Sequence, residues 1–541
     1  MKFNLIREPW IRCVDLDGQV RPPVGLAEAL ASSHVFAGIV DESPLVMAAL
    51  HRLLLAILHR NLGPRDSETW GDLWKQRRFP SDVLEAYWTK WESHFDLFDD
   101  THPFYQSATI TERDGPGTIA KLQFHRSAGN NATLVDHTTD DLPPAMQPAE
   151  AARALVTHQT FALGGTVGYL ESCEIDADKR GSDSPSARGA FCLLQGANLF
   201  ETLMLNLAEY DPAAHPKDLP CWERDPSQGK GKRTPDGRVD LFTWQSRRSR
   251  LFGSQASDGS TQINRVKLVP GFYVPLMWNP FKDESLQSFV VHAEAKPDQR
   301  PWFQYRITSE RAVWRNGSAI IHGVKGEKRQ EFQPLTLNWI AQLVWDGELP
   351  VGFPCRLEVS GFATDQQKVE VWRREHLPVT AGLLRDPRCQ ESLRSSLNHA
   401  NDTAYALSTA TKRLAAEILS PSDFKKADPK RVMELVSSVG SEVQYWSSLS
   451  TPFYEFLESL GRSQGITDEE ARDSAGNVGF EAWKRNVRNA ALEAFTQASS
   501  GITQNVRGLR AQAIAETKLR SGIAKVARKL IGGGDAEEKT K

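Results

Sequence analysis

Side chains suited to holding a metal ion are concentrated in one short polar stretch, residues 136–141. Carboxylate and imidazole groups of this kind bind divalent metals that activate water, so the stretch defines one hypothesis, a metal-dependent nuclease. Because no partner ligands at metal-binding spacing occur elsewhere in the sequence, a plain polar loop is the competing interpretation. The candidate ligands are Asp136, His137, Asp140 and Asp141.

A phosphate-binding loop and a zinc knuckle are both missing from the sequence. Gly229-Lys-Gly-Lys-Arg-Thr234 is basic and rich in glycine, but its spacing differs from GxxxxGK[ST], so we interpret it as a basic loop. The six cysteines are scattered and form no CxxC pair. We therefore expect no bound metal and no cofactor, which leaves recognition by hydrogen bonds and charge.

Two stretches carry groups suited to such recognition. Gly164 and Gly165 form a pair that lets the backbone approach a ligand closely, although a plain turn fits the same pair. Arg265 and Lys267 alternate along a predicted strand at residues 264–269. Alternate residues of a strand share a face, so this stretch predicts a small basic surface.

A third stretch predicts a β-hairpin. Alternating residues at 356–360 and 368–372 predict its strands, and residues 361–367 predict a broad polar tip. The tip carries Gln366 and Gln367, whose amides donate and accept hydrogen bonds without a charge that repels phosphate. A solvated turn without a binding role is the alternative interpretation. The hairpin, however, lies where the mixed helix and strand signals give way to mostly helical ones, and binding sites often occur between domains.

Positioning these stretches requires more than one hydrophobic core, because 541 residues exceed the size of a single domain. The 65 basic and 68 acidic residues nearly cancel, which argues against a generally basic nucleic-acid coat but allows local basic patches. The start of the chain lacks a signal-peptide pattern, and no apolar run reaches the length of a membrane span. We therefore expect a cytoplasmic protein without membrane contact.

The predicted fold class is α+β, with two domains. Residues 1–377 mix helix and strand signals and predict a large mixed domain. Within it, Ser43 and Pro44 predict the start of a helix that runs to about Asn61, and residues 189–208 are expected to be helical. Residues 378–541 predict a C-terminal four-helix bundle.

The bundle is predicted from four amphipathic segments. The first, from Glu391 to Ile418, places apolar or small residues close to a heptad. The last, from Ile502 to Ile531, carries seven basic residues and one acidic residue. A solvated face and a surface for nucleic acid or an acidic partner both fit this charge bias.

The order of these stretches resembles the CasA family, the large subunit of the type I-E CRISPR surveillance complex Cascade. Phe3-Asn-Leu-Ile-Arg-Glu-Pro-Trp-Ile11 is similar to the start of that family, and His102-Pro-Phe-Tyr-Gln106 resembles its HPFxQ segment. Ser127-Ala-Gly-Asn-Asn131 resembles its SGATN loop, and Thr243-Trp-Gln-Ser-Arg-Arg248 its TWQSRR segment. With the hairpin, the resemblance extends over essentially the whole chain.

The resemblance implies a non-catalytic subunit that helps to recognise the protospacer-adjacent motif (PAM) in double-stranded DNA. It also implies roles in strand separation, in R-loop formation and in recruiting the helicase-nuclease. Which PAM is read stays open at this point. The residues that the resemblance places at the PAM are Gly164, Gly165 and Thr166 of a glycine loop, Lys267 or alternatively Arg265 as a basic finger, and Gln366 with Asp365 at a wedge.

The resemblance further implies partners. The loop at Asn130, Asn131, Leu134 and Val135 would hold the guide RNA (crRNA) beside a neighbouring Cascade subunit. Arg520, Lys525 and Arg528 of the last helix would contact displaced DNA. A purely structural scaffold that binds RNA and protein without reading DNA is the third hypothesis, beside the nuclease.

Overall fold

The computed structural model describes residues 1–124, 145–170, 180–224, 231–292, 296, 299–323, 328–365, 368–464, 466, 468–502 and 505–531. Half of the chain is helical and 17% of it lies in strands, which confirms the predicted α+β class. The chain divides into two compact units. The first consists of Met1–Val313 with Ala319–Leu377, and the second of Trp314–Ser318 with Pro378–Lys541.

Helices before residue 377 are mostly short. Their bounds in the described residues are α1 (Leu26–Ala31), α2 (Pro44–Leu62), α3 (Ser67–Gln76), α4 (Ser81–Trp91), α5 (Pro148–Phe161), α6 (Leu199–Asn206), α7 (Arg238–Phe242), α8 (Gly317–His322) and α9 (Leu335–Trp345).

Strands form small sheets rather than one large one. The strands of the described residues are β1 (Cys13–Asp15), β2 (Phe36–Ile39), β3 (Gly117–Thr118), β4 (Gly165–Thr166), β5 (Arg180–Gly181), β6 (Phe191–Gln195), β7 (Gly231–Lys232), β8 (Arg247–Gln255), β9 (Thr261–Pro270), β10 (Phe272–Tyr273), β11 (Phe289–His292), β12 (Trp302–Gln304), β13 (Arg329–Phe332), β14 (Pro354–Asp365) and β15 (Lys368–Thr380). The sheet orders are β1-β2, β3-β9-β8, β4-β5, β15-β14-β6, β12-β11-β13 and β10-β7.

Helix α2 begins at Pro44 as predicted and forms much of the core of the first unit. It is long and apolar enough to cross a membrane, contrary to the prediction about apolar runs, but 78% of that stretch is buried inside the protein. Its buried polar groups find partners within the first unit, as buried polar groups require. Arg52 lies 2.8 Å from the carboxylate of Glu284, and the Nδ1 atoms of His51 and His59 lie 2.7 Å from carbonyl oxygens one turn earlier.

The prediction of a helix over residues 189–208 was wrong for its first half. Phe191–Gln195 is strand β6, which pairs antiparallel with β14, and only then does α6 begin. Asn198 starts α6 by accepting a hydrogen bond from the backbone N–H of Glu201 at 2.8 Å. Because β6 is buried on both faces, its apolar run lacks the alternation that distinguishes a strand from a helix.

The predicted hairpin is present with longer strands. Residues 361–365 belong to β14 rather than to the tip, and β15 starts at Lys368. Gln366 and Gln367 lie outside the described residues. The hairpin is anchored in a three-stranded sheet, because β14 also pairs with β6.

The second unit is helical. Its helices in the described residues are α10 (Ala381–Arg385), α11 (Pro387–Leu419), α12 (Pro429–Val439), α13 (Ser441–Ser448), α14 (Ser450–Ser463), α15 (Glu469–Ser500) and α16 (Val506–Ile531). The predicted second segment is therefore divided, and Gly440, with a φ of +59°, separates α12 from α13. α11 packs against α15 and α16. Trp483 lies in the core of this unit, where its ring contacts Phe453 and Phe456.

Candidate nucleic-acid interface

The glycine loop, residues 163–166, follows the end of α5 and pairs with β5. Gly165 lies opposite Gly181 and Thr166 opposite Arg180, while Gly165 and Thr166 are both exposed. Gly165 has a φ of +150°, and a Cβ atom added there would meet no atom within 4 Å. The backbone shape therefore requires glycine, and the space beside Gly165 is open to an approaching ligand.

Arg247 holds both sides of the glycine loop from inside the protein. Its buried guanidinium donates hydrogen bonds to the carbonyl of Leu163 at 2.6 Å and to that of Ser182 at 2.8 Å. Burial lowers the pKa of Arg247 to about 10, although the charge of Asp183 acts in the opposite direction. At neutral pH Arg247 is still charged, so its hydrogen bonds are of the stronger, charge-assisted kind.

A chain of polar contacts joins the glycine loop to the hairpin. The carboxylate of Asp183 accepts the backbone N–H of Gly164 at 2.5 Å and also a hydrogen bond from Nε of Arg188. The same arginine donates from Nη1 to the hydroxyl of Thr364, on β14, at 3.2 Å. Thr364 lies two residues before Gln366 in the chain, so the loop is linked to the hairpin near its tip.

An aromatic contact supports the same link. Phe161 is the last residue of α5, and its ring lies 6.1 Å from that of Phe362 in an edge-on arrangement. Both rings are buried. Aromatic pairs of this geometry contribute about 0.5–1.5 kcal/mol beyond the area they bury. The start of the glycine loop and the end of the hairpin therefore share one piece of core.

A buried carboxylate fixes the lower part of the hairpin. Glu358 on β14 lies 2.7 Å from Arg374 and 3.3 Å from His376, both on β15. Burial opposes the ionisation of Glu358, but the hydrogen bonds from His376 and Arg374 outweigh it and lower its pKa. Gln195 of β6 donates a further hydrogen bond to the same carboxylate at 2.6 Å. The two strands are thus tied together by their side chains.

A cleft of about 290 Å³ lies beside the end of the hairpin. Arg188 and Thr364 line one part of it, and Arg306, Thr308 and Ser309 line another. Partial burial and the neighbouring charge of Arg188 lower the pKa of Arg306. The cleft therefore offers arginine and hydroxyl donors beside the end of β14.

The two candidates for the basic finger differ in their partners. Arg265 forms an ion pair with Glu112 at 2.9 Å. Lys267 donates instead to the backbone carbonyl of Asp114 and lies 3.5 Å from that of Gly115. Within the described parts of the chain, no carboxylate lies within 4.0 Å of the Lys267 ammonium group. Lys267 therefore has no ion-pair partner among the residues that the structure describes, which favours it over Arg265.

Several predicted site residues lie outside the described residues. They are Gln366, Asn130, Asn131, Leu134 and Val135, together with the candidate metal ligands Asp136, His137, Asp140 and Asp141. For Asp365 only the backbone, at the end of β14, is described. Among the residues that the structure describes, no group of three or more His, Cys, Asp or Glu side chains is arranged to hold a metal ion.

The basic helix α16 belongs to the second unit. Its buried residues Ala511, Ala515, Leu519 and Ile523 recur every four residues and form the face packed in the unit. Arg520, Lys525 and Arg528 are exposed, and Arg520 forms an ion pair with Glu516 at 2.6 Å. Exposed pairs of this kind contribute little to stability, so these cations remain available to an anionic partner.

Sequence reasoning missed the residues that connect the parts of the site. Asp183 and Arg188 were not singled out, because their roles depend on contacts with residues far away in the chain. Arg247 lies in a segment that was noted, residues 243–248, but its burial beneath the glycine loop was not predicted.

Comparison with known proteins gives one consistent result. The sequence profile of the family described as CRISPR-associated protein Cse1 matches residues 4–494. A curated relative from Thermus thermophilus, named CRISPR-associated protein CasA/Cse1, is 34% identical over 528 residues, which are 95% of this chain and 96% of the relative.

Solved structures agree with the sequence comparison. The crystal structure of Thermus thermophilus CasA is 30% identical, with a TM-score of 0.77 over 97% of this chain and 100% of the other. A chain of a structure titled CRISPR RNA-guided surveillance complex has a TM-score of 0.74 at 20% identity, and covers 96% of this chain and 99% of that one. The second likeness concerns the fold alone.

Proposed function

The chain belongs to the CRISPR-associated Cse1 family, which is the CasA large subunit of a CRISPR surveillance complex, and we propose that it recognises the PAM in double-stranded DNA and helps to separate the strands beside it. The observation that carries this proposal is the contact chain from Gly164 through Asp183 and Arg188 to Thr364. It joins an open glycine loop to the hairpin expected to act as a wedge. Motif recognition and strand opening are thereby coupled in one framework.

The glycine loop suits the minor groove of DNA. That groove is narrow and presents a degenerate pattern of acceptors, so recognition there depends on close approach and on few hydrogen bonds. Gly165 offers exposed backbone, and among the described residues no atom lies within 4 Å of the position of an added Cβ. Thr166 offers an exposed side chain beside it. Lys267 supplies the donor to groove acceptors, because its partners among the described residues are the backbone carbonyls of Asp114 and Gly115.

Strand separation is assigned to the hairpin. Gln366 enters beside the PAM, and the first unpaired bases are then read by pairing with the guide RNA. The helicase-nuclease is recruited after R-loop formation. On this proposal the subunit is itself non-catalytic and works in the cytoplasm with guide RNA and the other Cascade subunits.

The exposed cations of α16 are assigned to the displaced strand. Phosphate contacts position nucleic acid without specifying its sequence, which matches a row of surface arginines and lysines. Arg520, Lys525 and Arg528 therefore hold opened DNA, while the glycine loop and finger choose the motif.

The proposal is tested by binding of the complete guide-RNA complex to a library of duplexes. Every duplex carries the same target, and a randomised segment lies where the PAM would be. We expect strong enrichment of a short motif in the bound fraction. Binding that is indifferent to the segment would favour the structural scaffold instead. Cleavage of DNA by the isolated chain with Mg²⁺ or Mn²⁺, abolished by Asp136→Ala, would favour the nuclease.

A further inference from the structure

A second pocket lies in the first unit, where two segments noted in the sequence meet. It is called the arginine pocket here, and it is lined by parts of residues 102–107 and 245–248, with Arg224, Arg233 and Phe272. Its volume is about 100 Å³, and it opens to solvent. Lys267, Gly165 and the hairpin do not line it. It shares only Arg247 with the residues described above for the glycine loop, and the PAM proposal assigns it no ligand.

The wall formed by residues 102–107 is fixed in place. The backbone N–H of Ser107 donates to the carbonyl of Ser249 at 2.9 Å, and the amide oxygen of Gln106 accepts from the N–H of Leu251 at 2.7 Å. Tyr105 has a φ of +58°, an uncommon conformation for a non-glycine residue. Strained residues of this kind cluster at binding sites because their surroundings must hold them.

The pocket is lined by four arginines, two of which form ion pairs with aspartates behind them. Arg224, Arg233, Arg247 and Arg248 line it together with two histidines, and no aspartate or glutamate occurs among its described lining residues. Two of the arginines are held from behind, since Asp240 lies 2.8 Å from Arg233 and 3.2 Å from Arg224. These cations are therefore oriented before any ligand arrives, which reduces the entropy that binding costs.

Aromatic faces accompany the cations. The rings of His94 and His102 stack at 4.3 Å, and the ring of Phe272 lies 4.3 Å from the guanidinium of Arg233. Arg233 also lies 4.1 Å from the ring of Trp244. Guanidinium groups bind phosphate, and ring faces or guanidinium planes stack on bases that have left a helix.

We propose that the arginine pocket binds a single unstacked nucleotide, with its phosphate on the arginines and its base against the ring faces. The pocket is too small for a base-paired duplex. The nucleotide belongs either to the guide RNA or to an opened DNA strand, which share this chemistry. The pocket shares Arg247 with the glycine loop, so the test below measures nucleotide binding directly rather than through PAM recognition.

The test is titration calorimetry on the full chain with AMP, UMP, dAMP, dTMP and inorganic phosphate as separate probes. We expect at least one nucleotide to bind one-to-one, and more tightly than phosphate alone. A preference for ribonucleotides would identify the guide RNA as the source, and equal binding of deoxynucleotides would identify opened DNA. No nucleotide binding at millimolar concentration, or binding no tighter than that of phosphate, would overturn the proposal.

Gln245→Glu tests whether nucleotides bind in the arginine pocket. Gln245 lines the pocket and is half-buried, and the change adds a negative charge with almost no change of shape. We expect nucleotide affinity to fall at least about tenfold, because like charges in a binding site repel. Gln76→Glu, on an exposed residue of α3, is the matched control and should leave affinity unchanged.

His102→Ala is a second variant that removes a ring face without adding charge. It should weaken nucleotide binding while leaving phosphate binding unchanged, and thermal unfolding of each variant verifies the fold. Wild-type nucleotide affinity in both Gln245→Glu and His102→Ala would overturn the assignment to this pocket.

Discussion

Nη1 of Arg188 lies 3.2 Å from the hydroxyl oxygen of Thr364 and donates a hydrogen bond to it. The same arginine donates to Asp183, which in turn accepts the backbone N–H of Gly164. These contacts connect a loop that has an open face with the strand that leads to the hairpin tip. The loop and the strand are therefore held to each other by side-chain hydrogen bonds.

Thr364→Val tests that connection. Valine keeps the branched shape and the strand preference of threonine but leaves one Arg188 donor without this acceptor. We expect the free energy of unfolding to fall by about 1 kcal/mol and PAM-dependent strand opening to slow. Thr308→Val, at an exposed residue of the same cleft, is the matched control. Equal kinetics for the two variants, measured with a fluorescent base beside the PAM, would argue against the coupling.

Gly165→Asp tests the glycine loop. The added side chain enters the open space beside Gly165, where it blocks close approach and brings a carboxylate near phosphates. We expect loss of binding to PAM-bearing duplex by a complex that still assembles. Gly18→Asp is the matched control, since Gly18 also has a positive φ and open surroundings. The glycine-loop assignment is wrong if a folded Gly165→Asp complex discriminates PAM sequences normally.

Lys267→Ala and Arg265→Ala separate the two candidates for the basic finger. Removal of Lys267 should relax the choice of PAM, because the partners of its ammonium within the described parts of the chain are backbone carbonyls. Removal of Arg265 should have a small effect, because Glu112 already neutralises that guanidinium. The readout is the ratio of affinities for preferred and altered PAM duplexes. If Arg265→Ala lowers that ratio more, the finger is Arg265.

The sequence predicted those parts of the fold that have local signals. The Ser43-Pro44 start predicted α2, and the spacing of Leu393, Leu397 and Leu407 predicted the buried face of α11. It failed at β6, because an apolar run buried on both faces has no period. The missed site residues Asp183 and Arg188 act through contacts distant in the chain, which no local pattern contains.

Neutralising three cations of α16 tests the assignment of the displaced strand. Arg520→Ala, Lys525→Ala and Arg528→Ala together should weaken target binding equally for all PAM sequences. Each lost phosphate contact lowers the salt slope by about 0.7 for a single strand, so the slope should fall by up to about 2. Lys425→Ala, Lys430→Ala and Arg431→Ala remove the same charge from exposed positions near α12 and form the control. An altered PAM preference would contradict the assignment.

The central claim, that this subunit helps to open DNA beside the PAM, is tested most directly by Gln366→Ala. Opening the first base step costs on the order of a few kcal/mol in lost stacking and pairing, and a wedge would offset part of that cost. Glutamine suits a wedge because its uncharged amide both donates and accepts hydrogen bonds. Gln367→Ala is the matched control, because it removes the same side-chain amide at the neighbouring position.

The measurement is the rate of strand opening by the complete complex on two targets, one fully duplex and one already unpaired next to the PAM. We predict that Gln366→Ala slows opening of the duplex target strongly and of the unpaired target little, and that Gln367→Ala has a milder effect. An equal loss on both targets would contradict the account, because Gln366 would then contribute to general affinity or folding rather than to opening the duplex.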